Sequence, residues 1–257
     1  VFQRLCRGLV SVNGEKGDMI DLEVFVLCHP RKVCTTTQLL QHAGVTHTMY
    51  VNEDSDLPFD HAEYSVDRSW RPSQRDYAVR QYRAMYGHTQ IHKRSKAAIT
   101  LVFEDDVKLG SLNKAYLHRA MDTCHDVFET YPDIQAISFH GRNLSPTRPV
   151  VSLPGMQFSE LQTKPLTEEA QIRFLGPLWK VSMGLTTPPD LKWHEGCLMY
   201  AVNESGRKAW ADADLRQGWP CDLFLVNKLN TLVVTNSPVM HNETGSLMTR
   251  PLYESPV

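Results

Sequence analysis

Ile99-Thr100-Leu101-Val102-Phe103-Glu104-Asp105-Asp106-Val107 sets an apolar run directly against three consecutive carboxylates. The run over residues 97–103 has the length and the β-branched and aromatic content of a strand buried on both faces, the kind found inside parallel sheets. Three adjacent carboxylates at its carboxyl end repel one another, and their partial burial is unfavourable unless a positive charge neutralises them. A divalent cation supplies that charge. Carboxylate oxygens suit Mg²⁺ or Mn²⁺, ions that commonly share a few carboxylates with substrate phosphates and leave their other positions to water. In open α/β sheets, ligands also bind beyond the carboxyl ends of strands. The plainer reading of the triplet is a solvated acidic turn, or a cap for the helix that begins near Leu112.

Outward from that strand the chain alternates. Leu22-Glu23-Val24-Phe25-Val26-Leu27-Cys28 reads as the first strand, broken by His29-Pro30-Arg31-Lys32. Residues 35–43, with Leu39 and Leu40, suit a short helix closed by Gly44, and residues 46–51 return to strand character. Such a strand-helix-strand unit implies a parallel pair. A polar stretch with Pro58 and Pro72 reads as a loop, after which Ser73 opens a long helix to about His92 with apolar contacts from Tyr77, Tyr82, Met85 and Tyr86. Helix is predicted over 112–131, 204–212 and 222–229, and strand over 134–139, 197–202 and 231–235. The pattern predicts one α/β domain over residues 1–257, built on a Rossmann-like, mostly parallel sheet flanked by helices. Between residues 141 and 189 the alternation fails at Pro146, Pro149, Pro154, Pro165, Pro177, Pro188 and Pro189, which predicts an irregular insert lying over the active site.

Composition narrows the class. The chain carries 27 Lys plus Arg against 29 Asp plus Glu, a formal net charge of -2, so no global electrostatic drive toward nucleic acid or an anionic membrane exists. Hydrophobic residues at 42% are those of a globular chain, and no apolar run approaches the roughly 20 residues that span a bilayer. Six cysteines, Cys6, Cys28, Cys34, Cys124, Cys197 and Cys221, form no CxxC pair and read as reduced core thiols rather than a zinc or redox motif. A soluble cytoplasmic protein is expected, although the first residue is not Met and a removed targeting segment stays open.

Four stretches match a known order of motifs: Val24 to Arg31, Leu101 to Val107 with its Glu-Asp-Asp-Val, Gly196-Cys197-Leu198-Met199-Tyr200-Ala201-Val202-Asn203-Glu204-Ser205-Gly206, and Pro220-Cys221-Asp222. In this order the chain resembles glycosyltransferase family 25, the lipopolysaccharide-type and collagen-type galactosyltransferases, over roughly residues 22 to 246. Two features depart from the family: its Ser-His pair has no counterpart in Asp76 to Tyr86, and the Pro-rich segment is this chain's own. The resemblance implies a GT-A type fold and a metal-dependent glycosyltransferase. Its donor would be a nucleotide diphosphate sugar, in the first place a UDP-sugar. The acceptor would be a hydroxyl on a glycan or protein, and the cofactor Mn²⁺ or Mg²⁺.

Beside that resemblance, Asp106 is expected to bind the metal, with Glu104 as a further ligand and His241 returning from the C-terminal segment to complete the set. Glu104 and Asp105 are also expected to reach the donor, joined by Arg31 after the first strand and by Asn52, with Glu53 and Asp54, after the second. Removing the acceptor's hydroxyl proton needs a base, for which Asp222 is the first candidate and Glu195, beside His194, the runner-up. Asp222 has an equally ordinary reading as the N-cap of the following helix. His88, His92, Lys93, Arg94 and Lys96 form a basic stretch that reads as a solvated helix end, or as a phosphate-contacting patch. That patch keeps open the same chemistry on hydroxymethylated pyrimidines in DNA, and a third reading is an inactive nucleotide- or glycan-binding module.

Overall fold

The computed structural model describes residues 20–29, 34–52, 72–108, 113–140, 147–165, 190–192, 194, 196–215 and 219–240. Ten strands and five helices are found among them. In chain order these are β1 (Leu22–Cys28), α1 (Thr35–His42), β2 (Thr48–Val51), α2 (Pro72–Arg94), β3 (Ile99–Glu104), α3 (Lys114–Thr130) and β4 (Ala136–Ser138). There follow β5 (Thr147–Leu153), β6 (Met156–Leu161), β7 (Thr163–Pro165), β8 (Asp190–Lys192), β9 (Met199–Asn203), α4 (Glu204–Ala211), α5 (Cys221–Lys228) and β10 (Thr231–Val234).

Eight strands form one sheet in the order β2-β1-β3-β9-β4-β10-β6-β5, while β7 and β8 pair separately. Parallel pairing joins β1 to β2, β1 to β3 and β4 to β10. The pairings of β9 with β3 and β4, and of β6 with β10 and β5, are antiparallel, so β9 and β6 run against the other six strands. The fold is α/β and Rossmann-like, with helices on both faces of a mixed sheet in which six of eight strands share one direction. Apolar residues of β1 and β3 alternate between those faces: Val24, Val26, Leu101 and Phe103 pack with residues of α1 and α3, whereas Phe25, Leu27 and Val102 pack with residues of α2, α4 and α5.

Local chemistry fixes the element ends. The Asn113 side chain accepts from the Tyr116 N–H at 2.8 Å and caps α3, so the acidic triplet is not that helix's cap. Asn203 caps α4 in the same way through the Gly206 N–H. A Cβ on Gly206 would lie 2.3 Å from the Gln135 carbonyl oxygen, so the helix approaches β4 this closely only with glycine there.

One expectation needs correction. Residues 147–161 are not irregular: β5 and β6 form a hairpin that extends the sheet at its far edge, with Met156, Phe158 and Leu161 buried. Prolines concealed it. Pro149 sits in the edge strand, next to a register shift between Pro149 and Val151, where a missing N–H disturbs no inner ladder, and Gly155 at φ 80 makes the turn. Residues 166–189 lie outside the described residues. Among those that are described, no helix is long and apolar enough to cross a membrane.

Candidate functional site

The carboxyl ends of β1, β2, β3 and β4 lie along one edge of the sheet, together with the chain that leads into the antiparallel β9. Leu27 is paired with Glu104, and Cys28 with Val51. The strand order reverses around β1, which lies between β2 and β3, and the acidic triplet falls at this crevice.

Glu104, Asp105 and Asp106 are all half-buried, and the first two face different ways. Glu104 is the last residue of β3 and continues the alternation of Thr100 and Val102 toward α2, where its Oε1 lies 3.2 Å from His88 Nε2. Asp105 turns to the end of β1 and accepts from the His29 backbone N–H at 2.7 Å. The backbone of the turn is clamped by α1: Thr36 Oγ1 donates to the Glu104 carbonyl at 2.7 Å and Thr35 Oγ1 to that of Asp105 at 3.3 Å. The Glu104 N–H donates to the Leu198 carbonyl at 3.0 Å, tying β3 to the residue just before β9. Past Asp106, the Lys108 N–H donates to the Met240 carbonyl at 2.9 Å, so the backbone at Met240 lies beside the end of the triplet.

Behind Glu104 lies a buried polar chain. His88 and His92, both on α2, are fully buried, and each is 2.9 Å from the Tyr200 hydroxyl of β9. With an ionised Glu104 as terminal acceptor and neutral imidazoles, one proton assignment satisfies the series: His92 Nε2 donates to Tyr200, Tyr200 to His88 Nδ1, and His88 Nε2 to Glu104. Burial, reinforced by His88 and Arg207, holds His92 well below the usual imidazole range, in keeping with its neutral form. Burial also pushes the Tyr200 phenol well up. The Trp210 ring of α4 stacks on Tyr200 at 5.0 Å.

The basic stretch before β3 is therefore divided. His88 and His92 are core groups, and only Lys93, Arg94 and Lys96 are exposed, with the Arg94 guanidinium 4.6 Å above the Tyr50 ring. The periodicity could have shown this, since Met85, His88 and His92 are spaced three and four apart on the apolar face of α2.

The remaining expected residues fall in different places. Asn52 follows β2, but its Nδ2 donates to the Arg83 carbonyl at 2.5 Å and fastens the strand to α2. Asp222 is not an N-cap: Pro220 occupies that position and Asp222 lies in the first turn of α5. Its Oδ2 accepts from the Gly196 N–H at 3.1 Å and its Oδ1 from the Leu223 N–H at 2.9 Å. Gly196, at φ 86, adopts a left-handed backbone open to glycine, and the Asp222 contact fixes that turn ahead of β9. His194 is buried, and its Nε2 lies 2.7 Å from the His140 carbonyl and 2.8 Å from Ser138 Oγ. Burial, with His140 adding, lowers its pKa to about 3. Arg31, Glu53, Asp54, Glu195 and His241 lie outside the described residues.

No family model matches the chain, and no curated protein matches it. Among solved structures it is similar to the mannose-1-phosphate geranyltransferase from Thermus thermophilus, with 13% identity and a TM-score of 0.39 over 85% of this chain and 75% of that one. It is also similar to a CMP:2-keto-3-deoxy-manno-octonic acid synthetase complexed with CTP, with 10% identity and a TM-score of 0.36 over 85% of this chain and 94% of that one. Likenesses of this size assign neither a family nor an activity to the chain.

Proposed function

We propose that this protein is a metal-dependent glycosyltransferase that moves a sugar from a nucleotide diphosphate donor, a UDP-sugar in the first place, to a hydroxyl acceptor on a glycan or protein. The observation that carries the reading is the position of Glu104, Asp105 and Asp106, half-buried at the carboxyl end of β3 in the crevice where the strand order reverses. The motif resemblance to glycosyltransferase family 25 supports the same reaction class.

The donor set fits a hard divalent ion. As the final carboxylate of the motif Asp106 is assigned to Mn²⁺ or Mg²⁺, while Glu104 lies beside His88 and Asp105 on the His29 N–H. Such an ion is typically held by one or two carboxylates, with substrate phosphates and water filling its other positions. His241, the residue after Met240, is the proposed second protein ligand, because the Met240 carbonyl is bonded to Lys108 beside the triplet. When bound, the ion neutralises charge that grows on the departing diphosphate. Glu104 and Asp105, with Asn52 and Arg31, are assigned to orienting the donor. Asp222 is assigned to accept the acceptor's hydroxyl proton, with Glu195 as the alternative, and it does so from a carboxylate steadied by two backbone N–H groups.

The test is UDP release from a panel of UDP-sugars with Mn²⁺, compared with chelated protein and with Asp106→Asn. Turnover should depend on the ion and fall at least ~100-fold in the variant. The metal-free melting temperature should stay unchanged or rise, because one crowded carboxylate has lost its charge. Near-normal turnover by Asp106→Asn, or indifference to chelation, would overturn the assignment.

A further inference from the structure

His88, Cys197 and Cys221 bring an imidazole nitrogen and two thiol sulfurs to within 4.8 Å of one another. They come from three separate elements: the middle of α2, the approach to β9 and the first residue of α5. Among the described residues, no other set of three His, Cys, Asp or Glu ligand atoms converges in this way. Buried cysteines alone say little, since a free thiol is an ordinary small hydrophobe. Cys124 is such a case, buried on α3 in the apolar core.

Two further features separate the His88 cluster from that case. His88 Nδ1 is held at 2.9 Å by the Tyr200 hydroxyl, the kind of outer contact that orients an imidazole coordinating through its other nitrogen. Negative charge also stands beside the cluster, because Glu104 Oε1 lies 3.2 Å from His88 Nε2. Two thiols and one imidazole, with a water as fourth ligand, suit a tetrahedral Zn²⁺ centre, and they are too soft a set for Mg²⁺ or Mn²⁺.

We propose that His88, Cys197 and Cys221 form a zinc site beneath the acidic triplet, with water in the fourth position. Binding releases the two thiol protons and leaves Cys197 and Cys221 as thiolate ligands. His88 Nε2 then coordinates instead of donating to Glu104, its Nδ1 becomes the N–H that donates to Tyr200, and Tyr200 donates onward to His92. The order of the buried hydrogen bonds is thus reversed. The centre pins α2, β9 and α5 together under the end of β3, and it is distinct from the Mn²⁺ or Mg²⁺ position assigned to Asp106.

The experiment loads the full chain with Co²⁺ as a spectroscopic stand-in and with Zn²⁺ for stability. Wild type should take up one Co²⁺ with thiolate-to-cobalt charge-transfer absorption. Cys197→Ser and Cys221→Ser should each lose about half of that intensity, and the double variant all of it, as expected for two thiolate ligands. Zn²⁺ should raise the melting temperature of wild type by roughly 5 °C or more and protect two thiols from alkylation. Asp106→Asn should keep the cobalt spectrum while losing Mn²⁺-dependent turnover, so failure of this site and failure of the transferase reading are told apart.

Absence of charge-transfer absorption in folded wild type would overturn the site. So would a spectrum that survives in the double variant and vanishes in Cys28→Ala/Cys34→Ala, since it would place the metal on Cys28 and Cys34, whose thiols are hydrogen-bonded to each other. Isolation of wild type with Cys197 and Cys221 joined as a disulfide that, once reduced, takes up no Co²⁺ would replace the metal site with a redox pair.

Discussion

The two faces of the sheet are built from the same strands by opposite means. Toward α1 and α3, β1 and β3 present Val24, Val26, Leu101 and Phe103 to Leu40, Leu117 and Met121, a contact made almost entirely by apolar side chains. Toward α2, α4 and α5 the same strands present Phe25, Leu27 and Val102, but a buried series of His92, Tyr200, His88 and Glu104 runs through the packing to the candidate site. Dispersion and the hydrophobic effect hold the first face and tolerate swaps of similar volume. The second depends on every donor finding its acceptor, and losing one member strands the next. The site lies at the end of the face with the stricter requirement.

That contrast can be tested in order of expected effect. Phe103→Ala on the apolar face should cost about 3–5 kcal/mol in chemical denaturation, with the same value at pH 6 and pH 8, because no proton is involved. A cost that changed with pH would show the first face to be coupled to the titrating one.

Acid should act on the polar face. His194 stays neutral in the folded protein down to a pKa of about 3, against 6.5 when unfolded. Between those values the unfolded chain binds the extra proton, so His194's contribution is complete above pH 6.5 and is lost as pH falls, by about 1.4 kcal/mol per unit. His92, also lowered by burial, adds in the same direction. His194→Gln should flatten the fall of the melting temperature below pH 6.5. An unchanged pH profile would contradict the assignment.

His88→Leu should have the smallest effect, about 1–3 kcal/mol in metal-free protein, by leaving Glu104 and Tyr200 without this partner. Much of that loss should be absent when the change is made in a Glu104→Gln background. Fully additive costs would mean that the 3.2 Å contact contributes nothing.

Much of the fold was legible in the order of residues. β1 matches the expected strand, and α3, β9, α4, α5 and β10 lie within a residue or two of expectation, because burial periodicity and end signals are local. The hairpin of β5 and β6 was not legible, since proline reads as a breaker unless the strand is known to lie at an edge. Within the site, the triplet was found because three carboxylates after an apolar strand are anomalous on their own. From the sequence His88 and His92 read as part of a solvated helix end or a phosphate-contacting patch, because adjacent Lys93, Arg94 and Lys96 mask the helical spacing that buries them.

The sequence by itself determined most helices and strands outside the β5–β6 hairpin, the parallel pairing of β1 with β2, and that Glu104 to Asp106 stand at a strand's carboxyl end. Those properties depend on residues a few positions apart, through the period of two in a strand and of 3.6 in a helix. Only the tertiary structure decided which carboxylate faces which partner, with Glu104 on His88 of α2 and Asp105 on the backbone of His29 after β1. It also decided that Cys197 and Cys221 meet His88, which no local spacing encodes. Such partnerships depend on the packing of separate elements, because a buried polar group keeps its place only where another element supplies the matching donor or acceptor.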